Sequence, residues 1–159
     1  MKPIDVGFIG LAGAGKDTAA LALIAHGWRR VAFADKLKSL AFYFGWDGCK
    51  DEKGRKLLQD LGMAARAYNC DFWINQAFLN VHKMRVALIP CVYTDVRFQN
   101  EADYVRGRGG IIIRIKKPKQ ISSDSHESEL NQYDIVADYD VVNEGTIEDL
   151  HKKIIDILT

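Results

Sequence analysis

Apolar and polar positions fall into two periods along this chain, and their alternation predicts its elements. Residues 4–9 (Ile4-Asp5-Val6-Gly7-Phe8-Ile9) are a short apolar run that reads as a buried first strand. Thr18 to His26 is rich in Ala and Leu, lacks Gly and Pro, and reads as a helix stopped by Gly27. Residues 28–33 read as a second strand. A helix capped by Asp35 then runs to Phe44, with Leu37, Leu40, Ala41 and Phe44 at helical spacing and a stop at Gly45. The polar residues 46–53, with an Asp-Gly turn signal, are expected to form a mobile loop. Leu57, Leu58, Leu61, Ala64 and Ala65 give 55–68 a helical spacing interrupted at Gly62, and Asp71 opens a further helix carrying Phe72, Ile74, Phe78 and Val81.

Residues 83–90 fit either period. Pro90 suits the first residue of a strand better than its centre, which places a third strand near Cys91 to Asp95. A short helix over 100–108 ends at Gly109-Gly110, and the isoleucine run 111–115 is a fourth strand. A polar stretch, 116–133, separates it from a fifth strand at 138–143. Thr146 with Asp149 resembles a capping box for a last helix whose apolar stripe is Ile147, Leu150, Ile154, Ile155 and Leu158. Five strands alternating with helices predict a five-stranded parallel sheet wrapped on both faces, a three-layer α/β/α domain spanning 1–159. Ligands of such sheets sit at the carboxyl ends of the strands. That singles out residues 10–15, Phe33-Ala34-Asp35, Asp95-Val96-Arg97, the segment after Ile115, and Asn143-Glu144-Gly145.

Composition narrows the function classes. The 159 residues are 48% hydrophobic and 27% charged, with a net charge of +1, so no bulk electrostatic case exists for nucleic-acid or membrane partners. Cys49, Cys70 and Cys91 form no C-x-x-C pair and cannot all pair within one chain, which points to a reducing compartment. With no signal-peptide pattern and no apolar run of membrane-spanning length, a cytoplasmic location is expected.

Between the first strand and its helix stands Gly10-Leu11-Ala12-Gly13-Ala14-Gly15-Lys16-Asp17-Thr18. Glycines at this spacing let the backbone turn successive N–H groups onto phosphate oxygens, and the helix start adds the positive end of its dipole. Lys16 would reach the outer phosphates as a point charge. The residue after the lysine, where a Ser or Thr hydroxyl usually holds Mg²⁺, is Asp17, and Thr18 follows it. The loop therefore reads as a site for a nucleoside triphosphate, with Gly13, Ala14, Gly15, Lys16, Asp17 and Thr18 around it and Asn143 approaching from the last strand end. Asp95 ends an apolar strand as metal-holding acids do in phosphate-loop enzymes, and Arg97 two residues on can address phosphate; alternatively, Asp95 caps the 100–108 helix while Arg97 and Glu101 pair on its surface. Arg55, Lys56, Gln59 and Arg66 put donors along one helical segment, and Lys36 and Lys38 follow the second strand closely. Trp73 is either core or a stacking surface for a base. His126-Glu127-Ser128-Glu129 reads as a hydrophilic turn.

Taken in order, these segments resemble the phage-type deoxynucleoside monophosphate kinases, a branch of the phosphate-loop nucleotide kinases. The resemblance rests on the Lys16-Asp17-Thr18 variant, Phe33-Ala34-Asp35-Lys36-Leu37-Lys38, Arg55-Lys56-Leu57-Leu58-Gln59-Asp60-Leu61-Gly62, Asp95-Val96-Arg97-Phe98-Gln99-Asn100-Glu101 and Asp140-Val141-Val142-Asn143. It implies transfer of the ATP γ-phosphoryl group to a deoxynucleoside monophosphate with Mg²⁺, often by a homodimer, in the cytoplasm of a host cell if phage-encoded. It places Lys16, Asp17, Asp95 and Arg97 at the chemistry, with Asp17 and Asp95 toward the metal. Lys36, Lys38, Arg55, Lys56, Gln59, Arg66, Trp73, Asp95, Arg97 and Glu101 fall around the acceptor, in a helical region of about 35–82, under a lid of about 116–133. Two alternatives stay open: a kinase of the same fold acting on dephospho-coenzyme A or phosphomevalonate, and a nucleotide-binding switch without turnover.

Overall fold

The apolar runs become five strands: β1 (Val6–Ile9), β2 (Arg29–Val31), β3 (Cys91–Tyr93), β4 (Ile111–Lys116) and β5 (Tyr139–Val142). A computed structural model describes residues 3–86, 89–118 and 131–159. Every strand pairing is parallel, in the order β2-β3-β1-β4-β5. The helices are α1 (Lys16–Ile24), α2 (Ala34–Tyr43), α3 (Glu52–Tyr68), α4 (Phe72–Val86), α5 (Gln99–Gly107) and α6 (Ile147–Ile157).

Parallel pairing requires crossovers, and these cover both faces of the sheet. Val6 and Phe8 of β1, with Ile113 and Ile115 of β4, pack against Ala19, Ala20 and Leu23 of α1, Leu150 and Ile154 of α6, and Leu158 just after it. The opposite face of the sheet presents Ile9 of β1, Tyr93 of β3 and Ile112 of β4 to Trp73, Ile74 and Ala77 of α4 and Ala102 and Val105 of α5. Two-sided burial explains why the isoleucine run does not alternate with polar residues. Gly7 is small because its neighbours on this face lie so close: a Cβ there would stand 2.7 Å from the Ile112 Cδ1 and 3.1 Å from a Val96 methyl.

Several sequence expectations are corrected. Asp35 does not cap α2; it lies in the first turn, the N-cap residue is Phe33, and the capping carboxylate comes from Asp95. Residues 46–53 are not a uniformly open loop. Trp46 is buried and donates from Nε1 to the Cys49 carbonyl (2.8 Å), and Asp51 caps α3 through the Gly54 N–H (2.7 Å). Gly62 does not interrupt α3, because α2 packs there and a Cβ would come within 3.4 Å of Leu37. The ambiguous stretch is helical through Val86, while 87–88 lie outside the described residues. The capping box at Thr146 and Asp149 forms with both bonds (2.9 and 3.2 Å), but Ile147 is exposed rather than part of the buried stripe. Of the expected lid, 119–130, including His126 and Glu129, lie outside the described residues. Among the described residues, no helix is long and apolar enough to cross a membrane.

Candidate functional site

β1 ends at Ile9, and the chain enters the glycine loop at the carboxyl edge of the sheet. Two of its glycines are dictated by geometry. Gly10 has φ 142° and a Cβ there would lie 2.3 Å from the Ile115 carbonyl oxygen; Gly15 has φ 105° and a Cβ would lie 2.5 Å from Asn143 Nδ2. Both the left-handed backbone and the close neighbours exclude a larger residue. Asn143 donates from Nδ2 to the Ala14 carbonyl (2.9 Å), so the end of β5 braces the loop, while His151 of α6 reaches the Thr18 carbonyl (2.8 Å). The N-cap residue of α1, Gly15, contributes no side-chain cap, which leaves the helix start to an incoming anion. Lys16 donates its ammonium to the Gly10 and Leu11 carbonyls, the latter at 2.9 Å. These bonds fold the lysine back onto its own loop.

Beside this loop is a cavity of about 620 Å³, with Thr18, Lys117, Asn143, Thr146, Ile147 and Leu150 among its walls. Its volume falls in the range of small-molecule sites, and Thr18 joins it to the start of α1.

Across β3 stands the second half of the site. The Asp95 carboxylate accepts from the N–H groups of Phe33 (2.9 Å) and Ala34 (3.0 Å), so it fixes the start of α2. Burial raises its pKa, opposed by those two N–H groups and by the charges of Arg97 and Lys38. Neither sequence reading of Asp95 foresaw this task. It does not cap α5, and both of its oxygens already serve α2, which weakens its assignment to a metal.

The backbone at Arg97 is held by a buried scaffold. Glu101 is 1% exposed; its Oε2 accepts from the N–H groups of Arg97 (2.8 Å) and Phe98 (3.2 Å), and its Oε1 from Arg66 Nη2 (2.8 Å). The Arg66 guanidinium also lies over the Phe98 ring, 3.9 Å from its centroid. Glu101 and Arg66 were expected to touch substrate; instead they pin the backbone on either side of Arg97's side chain. Glu101 and Arg97 do not form a surface pair. Trp73, placed with the substrate residues, is likewise corrected to core: it is 3% exposed, its ring meets Phe72 edge-on, and its Nε1 donates to the Gly62 carbonyl (3.1 Å).

The remaining donors divide. Lys38 is half-buried and approaches Asp35 (4.0 Å), while Lys36 is exposed beside it. Arg55 is exposed and donates to the Lys50 carbonyl (2.9 Å); Lys56 pairs with Asp60 (2.8 Å) on the exposed side of α3; Gln59 is half-buried. Of these four α3 residues the structure joins only Arg66 to the Arg97 scaffold. Sequence reasoning missed two residues. Arg30 projects from β2 onto Asp35 (2.8 Å), its charge reinforced by that bond and by Asp95 and Asp17. Gln132, buried, accepts from the Gly10 N–H (3.0 Å). An arginine in a three-residue edge strand and a glutamine in a polar stretch carry no periodic signal.

Burial pushes the Glu101 carboxyl up to about 6, with Arg66 opposing the shift and Asp95 adding to it. The folded protein therefore takes up this proton more readily than the unfolded chain. Stability from this group is fully present below about pH 4.5 and is lost as pH rises through about 6, roughly 2 kcal/mol in all. Denaturant unfolding of wild type and Glu101→Gln from pH 4.5 to 7.5 should show the wild type losing that increment relative to the variant. A constant difference across the range would contradict the assignment.

The family profile described as deoxynucleotide monophosphate kinase matches residues 50–154. A protein of Acanthamoeba polyphaga mimivirus, named as a deoxynucleotide monophosphate kinase, is 32% identical over 94% of this chain and 93% of its own length. The deoxynucleotide monophosphate kinase of enterobacteria phage T4 is 29% identical over 63% of this chain and 43% of its own. Among solved structures, dephospho-CoA kinase from Campylobacter jejuni superposes with a TM-score of 0.55 at 16% identity, covering 97% of this chain and 95% of that one. Shikimate kinase from Aquifex aeolicus gives 0.54 at 14% identity, covering 98% and 96%. At those identities the two structures show a shared fold and nothing finer.

Proposed function

The chain belongs to the deoxynucleotide monophosphate kinase family, and from that premise we propose that ATP is its donor, Mg²⁺ its metal, and the crevice between the glycine loop and Arg97 its reaction site. It is a phosphotransferase acting on a small nucleotide substrate. The observation that carries the proposal is the loop itself: Gly10 and Gly15 are forced to be glycines, Lys16 sits on the loop carbonyls, and α1 starts without a side-chain cap.

ATP phosphates would lie on the N–H groups of residues 13–18, with the base and sugar in the cavity lined by Thr18, Asn143 and Thr146. Phosphoryl transfer asks the protein for position and positive charge more than for covalent chemistry. Lys16 supplies charge at the outer phosphates. Arg97, held by Glu101 and Arg66, supplies it from the acceptor side, with Lys38 and Arg30 nearby on the α2 flank. Asp95 contributes by fixing where α2 begins.

The residues present fit a magnesium ion shared with substrate. Mg²⁺ in kinase sites takes one or two carboxylates together with phosphates and water. Asp17, exposed in the first turn of α1, is free of the capping duties that occupy Asp95, and Thr18 follows it with a hydroxyl. Among the described residues no cluster of three or more metal-ligating side chains exists, which suits an ion bound chiefly through the nucleotide. When bound, the ion supplies neutralisation of charge on the donor's outer phosphate oxygens.

NMR titration tests the two half-sites. Mg²⁺-ATP should shift the amides of 13–18 and 143–147, and a deoxynucleoside monophosphate those of 34–38 and 95–98. Both ligands perturbing the same set would overturn the division. The homodimer implied by the resemblance is read out separately, by sedimentation at assay concentrations.

A further inference from the structure

Residues 135–138 are tied to β4. The Arg114 guanidinium donates to the Ile135 carbonyl, Ile135 is 1% exposed in the core, and Asp138 is bonded twice to Ile112: its carboxylate accepts from the Ile112 N–H (2.7 Å) and its own N–H donates to the Ile112 carbonyl (2.8 Å). Three residues before Ile135, the turn Asn131–Tyr133 presents Gln132, 4% exposed, to the point where β1 becomes the glycine loop. There the Gly10 N–H donates to Gln132 Oε1 (3.0 Å), a contact between residues 122 apart in sequence. The other side of Gly10 is engaged too, since its carbonyl accepts from Lys16.

We propose that Gln132 is a positioning residue for donor binding, which holds the Gly10 backbone in place when Lys16 leaves the Gly10 and Leu11 carbonyls for phosphate. The inference rests on the reading of the loop as the donor site. Lys16 and Gln132 together fix Gly10 from both sides. Once the ammonium turns to a triphosphate, those carbonyls lose it. Gly10, at φ 142° with the backbone freedom of a glycine, then keeps the Gln132 bond on its N–H. Without the glutamine oxygen, the Gly10 N–H is left without its acceptor in a part-buried place, and the loop's arrangement of N–H groups loosens at its root. Residues 135–138 are fastened to β4 and, through Arg106 on the Val136 carbonyl and on Asp138 (3.6 Å), to α5, but the Gln132 bond itself ends on the glycine loop, so the effect is expected on the donor.

Gln132→Met keeps the length and apolar bulk of the side chain and removes the acceptor oxygen. It should raise the donor KM about tenfold and leave the acceptor KM within about twofold. Donor and acceptor KM rising together, or neither moving, would overturn the proposal. A second measurement needs no variant. In the wild type, hydrogen exchange at the Gly10 amide should be slow without ligand and stay slow with Mg²⁺-ATP; rapid exchange there would overturn the proposal even if Gln132→Met failed to fold. Gln132→Glu retains an acceptor oxygen and should keep that protection, which Gln132→Met loses. Lys16→Ala, assayed alongside, separates the two levels. An unimpaired Lys16→Ala would refute the donor site itself, whereas an impaired Lys16→Ala beside an unmoved Gln132→Met refutes only the role of Gln132.

Discussion

Lys16→Ala should lose roughly 10²–10³ in turnover while keeping its thermal midpoint, because the ammonium acts on charge that grows during transfer. That ammonium donates to two carbonyls of its own loop, those of Gly10 and Leu11. Its larger task begins when phosphate oxygens replace those carbonyls. A charge aimed at the transferring group in a water-poor site is worth about 2.7–4 kcal/mol, which sets the size of the loss. Near-normal kcat in a folded Lys16→Ala protein would remove the glycine loop from the chemistry.

Arg97→Ala should depress kcat and kcat/KM together for every deoxynucleoside monophosphate, again by about 10²–10³-fold. The acceptor phosphate and the donor's outer phosphate are both anionic and must approach in line. Each pair of unit charges at 4 Å costs about 4 kcal/mol at an effective dielectric near 20. A guanidinium fork between them offsets that repulsion most where the oxygens crowd closest, which is the transition state. The scaffold beneath supports this role: Glu101, buried and joined to Arg66, holds the Arg97 backbone N–H at 2.8 Å. Arg97→Lys should recover only part of the loss, since an ammonium lacks the fork. A variant that raises only the acceptor KM, with kcat intact, would make Arg97 a binding residue and no more.

These two expectations draw on different kinds of legibility. The glycine loop could be read from sequence because all its determinants are local: an apolar run, glycines spaced for positive φ, a lysine, and an Ala/Leu helix within about twenty residues. The parallel sheet was equally open, since two-sided burial leaves continuous apolar runs such as 111–115. What could not be read is what joins distant segments. Asp95 looked like a metal or capping residue for its own helix, yet it caps α2 across a separation of 62 residues. Glu101 and Arg66, 35 residues apart, looked like two ligands for substrate and are one buried pair. Trp73 carried an aromatic ring that suits a base, but only packing decides whether its face is open, and α4 turns it inward toward Gly62. Gln132 offered no signal at all, because its meaning depends on a strap being fastened to β4.

The central claim is that one crevice moves a phosphoryl group from a triphosphate at Lys16 to a monophosphate at Arg97. The most direct measurement incubates the protein with Mg²⁺-ATP and each of the four deoxynucleoside monophosphates and separates the products. Our account predicts a deoxynucleoside diphosphate and ADP in equal amounts with at least one acceptor, roughly 10²–10³-fold slower with Lys16→Ala and none without the metal. ATP consumed with no diphosphate formed from any acceptor would contradict it.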